Sequence, residues 1–373
     1  MSGRLAALTR RKRLRSLEPR AGSDFASNDY LGLATSPELG QAARDAIARG
    51  VPVGAGASRL LRGTHSEHDL LEQEAAAFFG AEAALYFAGG FIANAAIFAT
   101  LPQRGDLIVH DELIHASAHD GMRLSKAEAV AARHNDAQAV EDAIRAWRAH
   151  GGTGRPWIAV ESLYSMDGDI APLDDLMVIA DRHDGVMVID EAHATGVFGP
   201  SGRGLGAHLE GRSNVVSLHT CGKALGVAGG IVCGPRIVRD YLVNRCRPLI
   251  YATAPSPLTA AVVRAALTVC ATDTQRRAAL RSRIVRAGTL FAELTGRPAT
   301  GTQILPVVIG RDEAALAVAA SLMANGFDVR AIRPPTVPEG TARLRICLTL
   351  NVDDHTTNAM FAALHEALGD ALP

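Results

Sequence analysis

The sequence lacks any long uninterrupted apolar stretch and has almost no excess of charge. No apolar run approaches the roughly 18 residues that a membrane-spanning helix needs, and the first twenty residues contain no apolar core of a signal peptide. The formal net charge is -1, so the overall balance favours neither nucleic acid nor an acidic membrane surface as a partner. We therefore expect a soluble protein that is not held to either by charge.

Cysteine is also scarce. The five cysteines are scattered without a Cys-x-x-Cys pair, which argues against a disulfide framework and against a structural zinc site. Free thiols are typical of a reducing compartment. The sequence therefore predicts a cytoplasmic protein without a bound metal.

What the sequence does contain is enough apolar material for a large core, since 48% of its 373 residues are hydrophobic. Between residues 83 and 234, short apolar runs alternate with helical patterns, which is typical of a mostly parallel α/β sheet. The runs are Ala83–Phe87, Leu107–Val109, Trp157–Val160, Val186–Ile189, Val215–Leu218 and Gly230–Cys233.

The pattern changes after about residue 255 to long helices mixed with a few strands, which predicts a smaller α+β domain. We therefore predict three segments: an N-terminal helical segment over 1–50, a large α/β domain over 51–255 and a small C-terminal domain over 256–373.

The first candidate functional residue is Asp190, which directly follows the apolar run Val186–Ile189. Ligands of open α/β sheets bind at the carboxyl ends of the strands, and a buried carboxylate there needs a cationic partner. The protonated ring nitrogen of pyridoxal phosphate (PLP) is such a partner. A metal ligand or a structural aspartate is the alternative at this position.

The second candidate is Lys223, which follows the next apolar run in the segment Thr220-Cys221-Gly222-Lys223-Ala224. A phosphate-binding P-loop also ends in Gly-Lys, but Ser217 stands where its first glycine belongs and Ala224 replaces its Ser or Thr. A lysine in a loop one strand after a buried aspartate is placed to form a Schiff base. An ordinary surface lysine is the alternative.

A third signal is the glycine pair in Gly89-Gly90-Phe91-Ile92-Ala93-Asn94, which follows a strand and opens a helix. Backbone N–H groups at such a helix start can bind a phosphate, although a turn without a ligand is equally compatible. A dinucleotide site is disfavoured, because Gly54-Ala55-Gly56 follows no convincing strand and lacks the third glycine. His115, just beyond another apolar run, could stack on a flat heterocycle, or it could be structural.

Six segments taken in chain order resemble the α-oxoamine synthases, which are fold-type I PLP enzymes that join an amino acid to an acyl thioester with loss of carbon dioxide. The resemblance spans nearly the whole chain. Its segments are Ser27–Gly32, Gly89–Asn94, His115–Ser117, Ser165–Asp169, Asp190–His193 and Thr220–Lys223. Ala194 departs from the pattern, since the family commonly has glycine after this histidine.

The resemblance implies a role for each matching residue. Lys223 would be the Schiff-base lysine, Asp190 the partner of the ring nitrogen and His115 the stacking residue. Residues implied in cofactor binding besides these are Gly90, Phe91, Ser165, His193, Thr220 and, from a neighbouring subunit, Thr253. Residues implied in substrate binding are Arg15, Asn28, His115, Thr336 and Arg345, the last as the partner of the amino-acid carboxylate.

Within the family, the proline-rich segment Arg333–Arg345 favours the member that condenses L-alanine with a pimeloyl thioester in biotin biosynthesis. The thiol carrier, coenzyme A or acyl carrier protein, is left open. The resemblance also implies a homodimer. The alternatives are 2-amino-3-ketobutyrate CoA ligase, 5-aminolevulinate synthase and a non-catalytic subunit of the same fold.

Overall fold

The computed structural model of the protein describes residues 1–17 and 19–369. Its helices are α1 Ser2–Arg10, α2 Pro37–Ala48, α3 Ser66–Phe79, α4 Gly90–Thr100, α5 Ala116–Leu124, α6 Ala137–Ala149, α7 Leu173–Arg182, α8 Arg236–Arg245, α9 Arg247–Ile250, α10 Pro257–Thr272, α11 Thr274–Thr295, α12 Asp312–Ala324 and α13 Asp354–Leu368. A π-helix spans Arg59–Gly63 and a 3-10 helix spans Pro200–Gly202. In the described part of the chain, none of the helices is long and apolar enough to cross a membrane.

The strands are β1 Ser23–Asp24, β2 Ala83–Phe87, β3 Leu107–Asp111, β4 Glu128–Ala132, β5 Pro156–Glu161, β6 Val186–Asp190, β7 Val215–Thr220, β8 Gly230–Gly234, β9 Ile304–Gly310, β10 Phe327–Asp328, β11 Arg330–Ile332 and β12 Ala342–Cys347. The chain forms two compact units. The sheet unit contains residues 31–165 and 170–277, and the terminal unit contains residues 1–30, 166–169 and 278–373. Both are discontinuous, whereas the three predicted domains are continuous segments, and the predicted boundaries stay a prediction.

The sheet unit is built on a seven-stranded sheet with the strand order β2-β8-β7-β6-β5-β3-β4. Its neighbouring strands are parallel except at β8, which is antiparallel to both β2 and β7. Apolar clusters cover both faces of the sheet, which explains why the central strands are continuous apolar runs rather than alternating ones. The predicted mostly parallel α/β sheet is confirmed.

Three adjacent strands of this sheet, β5, β6 and β7, are parallel and therefore end at the same edge. Their last residues are Glu161, Asp190 and Thr220, all of them buried. This carboxyl edge is where an open α/β sheet binds its ligands, and the polar residues gathered there are candidates for function.

Local signals set the ends of the helices in the sheet unit. Ser36 caps α2 by accepting a hydrogen bond from the backbone of Leu39, and Gly80 ends α3 in a left-handed conformation. His65 is the N-cap of α3, and the side chain of His68 returns a hydrogen bond to the His65 backbone.

The terminal unit has the α+β composition predicted for the C-terminal part of the chain. Its sheet has the order β11-β12-β9 with antiparallel neighbours, and β1 pairs in parallel with β10. Helices α12 and α13 pack against each other. Strand β12 is buried throughout, including its two arginines, Arg343 and Arg345.

All five cysteines are free and buried. Burial raises the pKa of the thiols of Cys221, Cys233, Cys246 and Cys270. These four side chains are therefore held as neutral thiols and serve as small apolar groups in the core.

Candidate active site

The candidate Schiff-base lysine lies against a histidine of the neighbouring loop. Lys223 follows β7, and its Nζ lies 2.6 Å from Nε2 of His193, which follows β6. Because the two strands are adjacent and parallel, their loops leave the sheet side by side. His193 is buried, with 4% of its surface exposed.

A tight turn presents Lys223. The backbone N–H of Gly226 donates to the carbonyl of Lys223 over 2.9 Å, and Gly226 has a φ of +67°. A Cβ atom at this position would lie 2.4 Å from the backbone nitrogen of Ala34. Only glycine combines this conformation with so close an approach to another backbone segment. Gly226, three residues after the lysine, therefore determines the path of the loop.

Asp190 is oriented by two donors. Its Oδ1 accepts a hydrogen bond from the backbone N–H of Ala192 over 2.9 Å, and its Oδ2 accepts one from Nδ2 of Asn94 over 2.8 Å. Donors on both oxygens fix the orientation of the carboxyl group. The sequence analysis identified Asn94 only as the last residue of the glycine motif and did not predict its contact with Asp190.

Glu161 is a second carboxyl group at this edge that the sequence analysis missed. It is the register partner of Asp190 and is 2% exposed. Its Oε2 accepts from the backbone N–H of Ser165 over 3.1 Å, while its Oε1 has no hydrogen-bond partner among the described residues. Burial first, and then the charge of Asp190, raise the pKa of Glu161 to about 8, although Lys223 opposes the shift.

His115 is the N-cap of α5 and is half-buried. Its Nδ1 lies 2.7 Å from Oγ of Ser117 and 3.3 Å from the backbone nitrogen of Ser117. The ring of Phe91 meets it edge-on at 6.3 Å between centroids. Burial lowers the pKa of His115, Asp190 opposes this shift and Lys223 adds to it, so the ring is favoured in its neutral form.

The start of α4 forms a backbone cradle beside Thr220. Gly90 is the first residue of this helix, and a Cβ atom there would lie 3.0 Å from Oγ1 of Thr220. Gly230 packs against the same helix start, since a Cβ atom on Gly230 would lie 2.8 Å from Cα of Gly90. The N–H groups of the first turn of a helix lack partners within that helix, so this cradle can bind a phosphate group.

These features together fit PLP. The cradle suits its phosphate, the doubly hydrogen-bonded Asp190 suits a protonated ring nitrogen, and Lys223 supplies a primary amine beside His193. The orphaned Oε1 of buried Glu161 is a further polar atom available to a bound group. The sequence-predicted residues Gly90, Phe91, His115, His193 and Thr220 thus belong to one unit with Asp190 and Lys223.

Two other sequence-predicted residues of the sheet unit, Ser165 and Thr253, differ from each other in exposure. Ser165 follows β5 and is buried, with its backbone bonded to Glu161. Thr253 is exposed on the loop before α10, where it lines a cleft together with Ala88 and Ile92. Thr253 is therefore accessible from the surface of this unit.

The predicted substrate residues of the terminal unit form two pairs. Arg15 donates from Nη2 to Oγ1 of Thr336 over 3.1 Å. Arg345, which is 7% exposed, donates from Nη1 to Oδ1 of Asn28 over 3.0 Å, and the same oxygen accepts from the hydroxyl of Tyr30. Residues that lie far apart in the sequence are thus brought together in each pair.

Comparisons with known proteins identify the family to which the chain belongs. A profile of the aminotransferase class I and II family matches residues 22–364. The 8-amino-7-oxononanoate synthase of Anaeromyxobacter dehalogenans strain 2CP-1 is 42% identical over 384 residues, covering 99% of this chain and 95% of the relative. The crystal structure of 8-amino-7-oxononanoate synthase from Francisella tularensis superposes with a TM-score of 0.77 at 27% identity, covering 93% of this chain and 98% of that one.

A structure described as SPT with a PLP internal aldimine superposes with a TM-score of 0.85 at 27% identity, covering 93% of this chain and 87% of that one. Fold and comparisons together define a fold-type I PLP-dependent transferase. Within that class, the chain belongs to the 8-amino-7-oxononanoate synthase family. The predicted fold class and the resemblance drawn from the sequence are both confirmed.

Proposed function

We propose that the protein catalyses the decarboxylative condensation of L-alanine with a pimeloyl thioester, giving 8-amino-7-oxononanoate, carbon dioxide and the free thiol. This is an acyl transfer in biotin biosynthesis. The proposal is carried by the placement of Lys223 and Asp190 after adjacent parallel strands, with the lysine amine beside His193. Its substrates follow from the relatives that share 42% of the sequence over nearly the whole chain.

PLP is the cofactor, and when bound it supplies an electron sink for the carbanion at the α-carbon of alanine. Lys223 would hold it covalently, and Asp190 would face its protonated ring nitrogen. His115 would cover the ring and would add to the fixed electrostatic environment. The remaining residues proposed to hold the cofactor are Ser165 and His193 at the ring oxygen and Thr220, Gly90 and Phe91 at the phosphate.

The side chain of Lys223 also moves the proton. As a free amine, its Nζ would remove the α-proton of the amino acid. The 2.6 Å contact with Nε2 of His193 keeps that nitrogen oriented while it is free. The buried strand ends at Glu161 and Asp190 would help to exclude water from the same edge, which would prevent unproductive protonation.

Arg345 is proposed to bind the carboxylate of alanine, with Asn28 beside it. Burial of the guanidinium and its bond to Asn28 fix the plane of the arginine fork, which matches a planar carboxylate. Arg15 and Thr336 are proposed to contact the acyl substrate, and their mutual hydrogen bond supports a shared role.

We further propose that the protein acts in the cytoplasm as a homodimer in which Thr253 reaches the phosphate site of the neighbouring subunit. The exposure of Thr253 supports this, as do the neighbouring exposed apolar side chains of Leu61 and Tyr251. The five free cysteines support the reducing compartment. Either coenzyme A or an acyl carrier protein serves as the thiol carrier.

One experiment tests the reaction directly. The purified PLP-loaded protein is incubated with amino acids crossed against acyl thioesters, each thioester supplied on coenzyme A and on acyl carrier protein, and products are identified by mass spectrometry. We expect alanine with the pimeloyl thioester to be the preferred pair. Preference for glycine with acetyl-CoA would overturn the assignment to biotin biosynthesis.

A further inference from the structure

A chain of hydrogen bonds, buried except at His115, joins the two residues proposed to contact the cofactor ring. It runs from Asp190 at the end of β6 through Asn94 on α4 and Ser117 on α5 to His115. Asn94 is 1% exposed and Ser117 is 0% exposed. Neither Asn94 nor Ser117 has a role in the function proposed above, yet they connect its ring-nitrogen partner to its stacking residue.

The direction of the first hydrogen bond in this chain is forced by chemistry. An ionised carboxylate only accepts hydrogen bonds, so the Asn94 atom that lies 2.8 Å from Oδ2 of Asp190 must be the amide nitrogen. The same nitrogen lies 3.0 Å from Oγ of Ser117. Its two hydrogens are therefore both used, one on Asp190 and the other on Ser117.

The direction of the next hydrogen bond follows. Because Oγ of Ser117 accepts from Asn94, its own single hydrogen is available to donate, and the atom within reach is Nδ1 of His115 at 2.7 Å. The backbone N–H of Ser117 also points to Nδ1, over 3.3 Å, and a backbone N–H can only donate. Two donors on Nδ1 make it an acceptor, which leaves the ring proton on Nε2.

We propose that Asn94 and Ser117 are positioning residues that hold His115 as the neutral Nε2–H tautomer and orient it relative to Asp190. This inference rests on the proposed function for the identity of the bound cofactor and substrate. It assigns His115 a definite chemical role, since an imidazole with its proton on Nε2 presents a hydrogen-bond donor to an acceptor oxygen of the bound substrate. An imidazole protonated on Nδ1 would present a lone pair there instead.

The surrounding charges are compatible with a neutral ring. Burial lowers the pKa of His115, Asp190 acts in the opposite direction and Lys223 lowers the pKa further. His119, one turn along α5, also interacts electrostatically with His115, and its own pKa is lowered by burial. Removing a donor from Nδ1 would destabilise the neutral ring, so the pKa of His115 should then rise.

The test measures the tautomer of His115 in the PLP-loaded protein. The protein is labelled with 15N-histidine, and the His115 nitrogens are assigned among the thirteen histidines by their loss in His115→Gln. We expect Nδ1 to be unprotonated and Nε2 protonated in the natural sequence. In Ser117→Ala the protonated state should become easier to reach, with the midpoint of the His115 titration rising by about one pH unit, the equivalent of one hydrogen bond.

Three variants make the result specific. Ser117→Thr keeps the hydroxyl and should restore the natural midpoint, whereas Asn94→Leu should shift it in the same direction as Ser117→Ala. Ser125→Ala, at the other end of α5, should leave the His115 signals unchanged. A proton on Nδ1 in the natural protein would overturn the proposal, as would an unchanged midpoint in both Ser117→Ala and Asn94→Leu.

The result is independent of turnover. A protein that binds PLP and shows the expected tautomer, but does not condense alanine with a pimeloyl thioester, would contradict the proposed function and leave the positioning role intact. A protein that condenses these substrates but carries a proton on Nδ1 of His115 would support the proposed function and contradict the positioning role.

Discussion

The amine nitrogen of Lys223 lies 2.6 Å from Nε2 of His193. At this distance the two nitrogens form a hydrogen bond, and which of them donates depends on the protonation states of the lysine and the imidazole. His193 therefore fixes the position of the lysine amine before any substrate is present.

Replacing Lys223 with alanine should abolish turnover and the visible absorption of the covalently bound cofactor while leaving the fold intact. The lysine contributes a covalent bond and a proton-transfer group, and little packing. Absorption spectra and circular dichroism of the PLP-treated variant test this. Lys126→Ala, at an exposed position, is the control. A borohydride-reducible adduct on Lys12 or Lys126, the two other lysines of the chain, would contradict the assignment.

Asp190→Asn should still bind PLP but lose most exchange of the α-hydrogen of alanine with solvent. A neutral amide does not stabilise a protonated ring nitrogen, and we expect the barrier to rise by several kcal/mol, with about a tenfold loss of rate for each 1.36 kcal/mol. Exchange is followed by NMR in deuterium oxide, with the exposed Asp174→Asn as control. An exchange rate equal to that of the parent protein would refute this role.

Glu161→Gln should change how stability depends on pH. Burial raises the pKa of Glu161 to about 8 in the folded protein from an ordinary 4.5, so the folded state binds more protons than the unfolded state between these values. The free energy of unfolding therefore falls as pH rises through this window. The glutamine variant, which does not titrate, should show a flatter profile in denaturant unfolding of the PLP-free protein. If the free energy of unfolding depended on pH with the same slope in both proteins, Glu161 would be ionised in the folded protein throughout this window.

Arg345→Lys keeps the charge but loses the bidentate fork, so the KM for alanine should rise about tenfold or more, the equivalent of about 1.4 kcal/mol or more. The KM for the acyl thioester should change much less. Arg343→Lys is a matched control on the same strand, because Arg343 forms an ion pair with Asp167 and should affect stability rather than alanine binding. An unchanged KM for alanine in Arg345→Lys would make Arg345 structural.

Gly226→Ala should destabilise the protein by about 1–3 kcal/mol, the usual cost of an unfavourable backbone conformation. The added Cβ would also collide with the backbone of Ala34, so we expect the total loss to be larger. Gly50→Ala is a sharp control, since Gly50 also has a positive φ, of +79°, but a Cβ there meets nothing within 4 Å. Denaturant unfolding of the two variants separates the strain from the steric contact. Equal losses would mean that the backbone near Ala34 moves aside freely.

The strands of the large sheet were predictable because burial on both faces leaves apolar runs in the sequence. Strand β4, Glu128–Ala132, was missed because it lies at the edge of the sheet and most of its residues are exposed, so it carries no such run. The antiparallel direction of β8 could not be predicted either, because a buried strand has the same apolar run whichever way it points.

The site residues divide in a similar way. Asp190 was found because a carboxylate follows an apolar run, and the same signal applies to Glu161, which follows Trp157–Val160 and was overlooked. The role of Asn94 could not be predicted, because it depends on a hydrogen bond between a helix and a strand 96 positions apart. The roles given to all of the predicted site residues, Arg15, Thr253 and Thr336 among them, stay predictions.

The burial of the cysteines has a practical consequence at the bench. Each turnover of the proposed reaction releases one thiol, and a chromogenic disulfide reagent such as DTNB reports free thiols by colour. Cys221, Cys233, Cys246, Cys270 and Cys347 are all enclosed in the fold, so the native protein should contribute little background colour. Continuous spectrophotometry of the released thiol can therefore follow the enzyme at high protein concentration, and a slow increase in colour without substrate would report unfolding instead.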